Sequence, residues 1–138
     1  MPIKSLPIAL LLSALLATPA LHAETPQDIL ETFRQDAVAA DSNFSAFSAE
    51  RGQELFFNKH VNDWSCASCH TDNPADPGKH ARTGKTIDAL APTANDKRFT
   101  RMKKVEKWFG RNCRDVLERE CTALEKGDVL TYLLTVKP

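Results

Sequence analysis

The sequence predicts a small all-α domain, and three observations carry that prediction. Apolar residues recur at three- and four-residue spacing in several stretches. Three of those stretches open on helix-start chemistry, at Thr25, Ser48 and Thr122. No alternating apolar runs are present from which a βαβ unit could be built. The 138 residues balance 18 Lys and Arg against 18 Asp and Glu, and a near-neutral total argues against nucleic acid as a partner.

Lys4 precedes an apolar run from Ile8 to Ala17, and small residues follow at Thr18, Ala20 and Ala23. The run is shorter than the roughly 20 residues that span a bilayer. Residues 1–23 are therefore expected to be a cleavable secretion signal. Cleavage is placed after Ala23, with Ala20 as the alternative. Residues 24–138 then form one domain, expected in the periplasm and without a membrane-spanning segment.

The first helix starts at Thr25, where a capping side chain is followed by Pro26 and by Asp28 near the positive end of the dipole. Ile29, Leu30, Phe33 and Ala37 share one of its faces. Ser48 caps a second helix running to about Asn58, with Gly52, Leu55 and Phe56 turned inward.

Next comes Cys66-Ala67-Ser68-Cys69-His70. Two thiols at this spacing can add across the two vinyl groups of a haem, and the adjoining histidine is delivered to one face of the iron. Two other chemistries use a CxxC. Zinc would need Cys113 and Cys121 to complete a four-thiolate shell, at a spacing wider than the usual knuckle. A haem-free dithiol oxidoreductase, hinted at by Trp64, expects a βαβ setting that the chain lacks. Covalent haem c, one per chain, is the favoured reading.

From Thr71 to Asp96 the chain is rich in Pro, Gly, Asp and Thr and reads as an extended loop. A third helix is expected from about Thr100, carrying Val105, Trp108 and Phe109 and ending at Gly110. The last helix opens on the capping box Thr122-Ala123-Leu124-Glu125 and continues through Leu130, Tyr132, Leu133 and Leu134. Between these two lie Cys113 and Cys121, which an oxidising compartment is expected to join as a disulfide.

Charge is unevenly spread. Residues 24–78 hold ten acids and three bases, residues 79–138 fourteen bases and eight acids, and nine of those bases fall between Lys97 and Arg119. Such polarity either orients a charged partner or is simply a solvated helix face.

Gly52 and Gly127 sit inside helical patterns, where glycine costs about 1 kcal/mol relative to alanine. A tight helix crossing would explain the cost. With Phe56 and Tyr132 beside them, they resemble the first and last helices of class I cytochromes c, which cross next to CxxCH. The expected architecture is thus a class I cytochrome c-like helical domain around one covalently attached haem. If His70 holds one face of the iron, ligand chemistry alone nominates Met102 for the other, with His60, His80, Lys103, Lys104 and Asn112 as alternatives.

A closer resemblance changes that choice. Arg82-Thr83-Gly84-Lys85, Leu90-Ala91-Pro92, Arg98-Phe99-Thr100, Val105-Glu106-Lys107-Trp108, Gly110-Arg111-Asn112-Cys113, Cys121-Thr122 and Glu125-Lys126 resemble the SHP-type (sphaeroides haem protein) cytochromes c. Gly52-x-x-Leu55-Phe56 and the CxxCH extend the likeness toward the front of the chain. The resemblance implies His70 as proximal ligand, Asn112 as distal ligand and a Cys113–Cys121 disulfide, with Met102 left to packing or the surface. An amide oxygen is a hard, weak donor that suits ferric iron, so Asn112 is expected to leave on reduction and let O2, NO or CO bind. The resemblance also implies electrons from a dihaem cytochrome c and a membrane b-type cytochrome; in a reactive version of this role the oxygen-bound ferrous form oxidises NO to nitrate, and otherwise the role is electron transfer and ligand binding. No separate catalytic residue is nominated. The competing expectation is a plain electron carrier with a permanent sixth ligand such as Met102. Trp108 and Phe109 are candidates for the pocket wall, and Arg82 and Lys85 for the haem propionates.

Overall fold

The computed structural model describes residues 23–138, so the expected signal peptide lies, but for its last residue, outside the described residues. Its helices are α1 (Pro26–Ala40), α2 (Ala49–Phe57), the single turn α3 (Ala67–His70), α4 (Met102–Leu117) and α5 (Ala123–Thr135). A 3-10 turn, Val61–Asp63, and a two-residue antiparallel ladder, Gly78–Lys79 with Thr86–Ile87, complete the elements. None of the described helices is long and apolar enough to cross a membrane.

Three helix starts form as their local chemistry requires. Thr25 and Thr122 each accept the amide of the residue three positions on, and Asp28 and Glu125 reach back to the cap's own N–H. Ser48 accepts the Arg51 amide at 3.2 Å.

The core lies where α1 and α2 pack on α5, around Ile29, Phe33, Phe56, Leu130 and Leu133, all fully buried. At the α2–α5 crossing the backbones nearly touch. A Cβ on Gly52 would sit 2.0 Å from the Asp128 carbonyl oxygen, so only glycine fits there. The crossing is locked by Asp128, 3 % exposed. Its carboxylate accepts the Ser48 amide at 2.7 Å and Arg51 Nε and Nη2 at 2.7 and 2.9 Å. Gly127 does different work from that expected. A Cβ there would meet the Phe47 ring at 2.1 Å, so it admits an aromatic side chain from the segment before α2 rather than the α2 backbone.

The third long helix departs from expectation at both ends. Phe99 takes a left-handed φ of 55°, and α4 begins only at Met102. Arg101 at its cap makes no side-chain bond; the Glu24 carboxylate accepts the Met102 amide instead. Nor does Gly110 end it. A glycine costs a helix about 1 kcal/mol, less than the seven following residues recover by placing Cys113 and Val116 in the buried set with Val105. The helix stops at Glu118, with φ 55°.

The expected long loop carries the small ladder, closed by His80 N–H donating to Lys85 O and Gly84 N–H to His80 O, each 2.8 Å. It is tied down from beneath. The fully buried Pro74 offers its carbonyl to the amides of Leu90 and Ala91, both at 2.9 Å. Gly78 passes so close to α3 that a Cβ would lie 2.0 Å from the Cys69 carbonyl oxygen.

Candidate haem site

Between α4 and the α2–α5 core lies a cavity of about 880 Å³. Its apolar wall comes from Leu55 and Phe56 of α2, Val129 and Leu133 of α5, and Val105, Trp108 and Phe109 of α4, with Ile87, Leu90 and Phe99 from the loop. This is the size and character of a large ligand site.

The CxxCH residues line one side. Ser65 and Ser68 set the turn that presents them. Each hydroxyl accepts the other residue's amide, at 3.2 and 3.0 Å, a reciprocal pair that anchors the start of the short helix on the buried Ser65. Cys66 and Cys69 are free thiols. Burial pushes the Cys66 thiol up to about 11, so it stays protonated. Cys69 Sγ accepts the Ala81 amide at 3.3 Å. Burial is also the main cause that lowers His70 to about 4, helped by the charges of Arg98 and His80. The imidazole is therefore neutral near pH 7 and has a lone pair to give a metal.

These facts test the three CxxC chemistries. Cys113 and Cys121 are bonded to each other, with Cα atoms 5.7 Å apart, and no metal-binding cluster of three or more His, Cys, Asp or Glu occurs among the described residues. That removes the four-thiolate zinc shell. A redox dithiol wants a depressed thiol pKa, the opposite of Cys66. Two free thiols and a neutral imidazole at the edge of an apolar cavity fit a thioether-linked haem.

A further part of the wall is α4. Val105, Trp108, Phe109, Asn112 and Val116 all line the cavity, a stripe at three- and four-residue spacing along one helix face. Asn112 is exposed to that space, and its carboxamide has no hydrogen-bond partner among the described residues. The disulfide follows at the next residue and ties this part of α4 to the start of α5. A second tie is Lys126 to Glu106 at 2.7 Å. Phe109 packs edge-on against Phe33 of α1, with ring centroids 5.8 Å apart.

The other candidates fall elsewhere or have other partners. Met102 is not among the residues lining the cavity; it packs against the core at the start of α4. Ten residues of helix, about 15 Å of rise, separate it from Asn112. His60 is likewise off the cavity, with Nε2 3.2 Å from the Leu55 carbonyl oxygen. His80 lines it, and its Nδ1 accepts the amides of Arg82 and Thr83 at 3.2 and 3.3 Å. Lys104 lines it and Lys103 does not. Of the two propionate candidates, Lys85 borders the cavity, whereas Arg82 lies over the Trp64 ring at 5.4 Å.

The sequence reading also passed over Arg98. Seven basic residues line the cavity, Lys85, Lys97, Arg98, Arg101, Lys104, Arg111 and Arg114, against the single acid Asp115. The basic stretch seen in the sequence is thus gathered largely around this cavity.

Comparison with known proteins agrees with the helical fold and with a covalently attached haem. Residues 42–133 match a family described as a domain of unknown function, DUF1924. The cytochrome c-type protein SHP of Cereibacter sphaeroides is 41% identical over 128 residues, covering 90% of this chain and 95% of the relative. Cytochrome c'' of Methylophilus methylotrophus is 43% identical over 104 residues, 72% of each chain. The crystal structure of oxidised cytochrome c'' superposes with a TM-score of 0.74 at 38% identity, covering 82% of this chain and 95% of that one. Oxidised SHP, described as an oxygen-binding cytochrome c, gives 0.72 at 37% identity, covering 80% and 96%.

Proposed function

Because the chain belongs to the DUF1924 family and is a monohaem cytochrome c of the kind represented by SHP and cytochrome c'', we propose that it is a reduction-gated binder of diatomic gases. Cys66 and Cys69 hold the haem c, His70 is its proximal ligand and Asn112 its distal ligand in the oxidised protein. The bound haem supplies a redox-active iron with two axial positions.

The observation that carries this reading is the placement of Asn112. Its unpartnered carboxamide lies on the wall of the same cavity as Cys66, Cys69 and His70, while Met102 lies off it. A carboxamide oxygen is a hard, weak donor suited to ferric iron and poorly suited to ferrous iron. Asn112 then withdraws on reduction, and O2, NO or CO take its place. After withdrawal its N–H remains able to donate a hydrogen bond toward a bound gas. SHP's oxygen binding, and the haem-ligand detachment studied in the solution structure of cytochrome c'', are properties of those proteins that agree in kind with this role.

The finer parts of the proposal follow the same logic. Residues 1–23 direct export to the periplasm. Electrons come from a dihaem cytochrome c fed by a membrane b-type cytochrome, and the basic rim around the cavity steers an acidic donor to it. With O2 and NO both present, one electron, NO and O2 together yield nitrate.

The deciding experiment is CO addition to dithionite-reduced holoprotein without denaturant. High-spin ferrous protein that takes up CO is expected. A low-spin, CO-inert ferrous form would leave only electron transfer. Asn112→Ala should change the ferric spectrum, and Met102→Ala should leave it unchanged.

A further inference from the structure

One charged side chain in the cavity wall has no role in gas binding. Arg98 is partly buried and borders the cavity. Its Nε donates to the Ala89 carbonyl at 2.9 Å and its Nη2 to the Asp88 carbonyl at 2.6 Å. Its own amide is held by the Asn95 carbonyl at 3.1 Å, and Asn95 Nδ2 shares the Ala89 carbonyl at 3.2 Å. The guanidinium is therefore anchored before any ligand arrives.

Its hydrogen-bonding capacity is only partly used. A guanidinium carries five N–H donors, and two neutral carbonyls occupy one donor each on Nε and Nη2. The two N–H groups of Nη1 have no acceptor among the described residues, and Arg98 forms no salt bridge among them. Burial lowers its pKa, and the charge of Asp88 only partly offsets that. The other bases bordering this part of the cavity, Lys85, Lys97, Arg101 and Lys104, are exposed and stay hydrated without a partner. A partly desolvated cation with a fixed donor fork and no salt bridge of its own is a site for a planar anion.

Haem carries two carboxylates on its propionate arms. We propose that Arg98 receives one of them, through the N–H groups its loop carbonyls leave free. Arg98 and His70 line the same cavity. The Arg98–propionate pair orients the haem in the cavity, and loss of the guanidinium leaves one propionate uncompensated. This assignment needs only that haem fills the cavity, and it stands or falls separately from the role of Asn112.

Resonance Raman spectra of the ferric holoprotein test it through the propionate bending bands, which respond to hydrogen bonding at the carboxylate. Arg98→Met should shift one of these bands. Arg98→Lys, which keeps the charge and loses the fork, should place it between wild type and Arg98→Met. Lys103→Met, at an exposed residue off the cavity, should leave both bands where they are. Unchanged bands in Arg98→Met would overturn the assignment and reduce Arg98 to an anchor for residues 88–89. So would a shift in Lys103→Met as large as that in Arg98→Met. Should Arg98→Met fail to accumulate as holoprotein, Arg98→Lys decides alone, and a wild-type spectrum in that variant refutes the pair.

Discussion

Gly52→Ala tests the helix crossing that frames the cavity. The added Cβ would lie 2.0 Å from the Asp128 carbonyl oxygen and 2.4 Å from its carbon. Real Cβ contacts essentially never fall below 3.0 Å. The obstacle is backbone, so no side chain can swing away, and α2 and α5 must part by about 1 Å. A gap of that size forfeits about a quarter to a half of each dispersion contact along the crossing. Overpacking of this severity costs about 3 kcal/mol. Alanine returns about 1 kcal/mol through helix propensity, leaving a net loss of about 2 kcal/mol. Urea unfolding of the oxidised holoprotein reads it directly. With a slope of about 2 kcal/mol per molar, the midpoint should fall by about 1 M without a change of slope. A midpoint matching wild type would show that the backbones do not meet at Gly52, and the core geometry argued here would be wrong.

Three further variants probe other joints. Cys113→Ser with Cys121→Ser opens the small loop that ties α4 to α5; by the chain-entropy relation it should lower stability by about 2.5 kcal/mol, checked by thermal unfolding of the oxidised form. The same variant should bind CO in the reduced state, because Asn112 and the cavity remain. Arg51→Ala strips two N–H donors from the buried Asp128 carboxylate, leaving the Ser48 amide. It should cost about 2 to 3 kcal/mol, and wild-type urea stability would contradict the lock described above. Glu125 is held below its ordinary carboxylate value chiefly by its hydrogen bond from Arg119. A depressed folded-state pKa stabilises above the unfolded value and is lost as pH falls through the folded one. Glu125→Gln should therefore be less stable than wild type at pH 7, by about 1 kcal/mol. The two unfolding curves should converge below the usual carboxylate range, and a difference that persists there would refute the linkage.

What was legible in the chain was its local chemistry. Thr25, Ser48 and Thr122 satisfy backbone N–H groups a few residues away, so their helix starts are visible without a third dimension. The CxxCH is equally local, because two thiols and an imidazole on a single turn are presented together whatever surrounds them. The end assigned to the third helix failed for the converse reason. Gly110 is a weak stop signal, and it was overridden by Cys113 and Val116, whose burial becomes visible only once the rest of the core exists. That error also broke the 105, 108, 109, 112, 116 stripe, the one periodic signal that places Asn112 on the cavity side of α4.

By itself, then, the sequence determined the all-helical class, the haem-attachment chemistry and the cysteines left to pair, since each rests on neighbours along the chain. Only the tertiary structure decided which side chains share the cavity with His70. It put Asn112 and Arg98 there and Met102 elsewhere. It showed Glu24 closing the start of α4 and Gly127 admitting Phe47. Those placements depend on contacts between residues tens of positions apart, and no spacing rule in one dimension encodes where two helices cross.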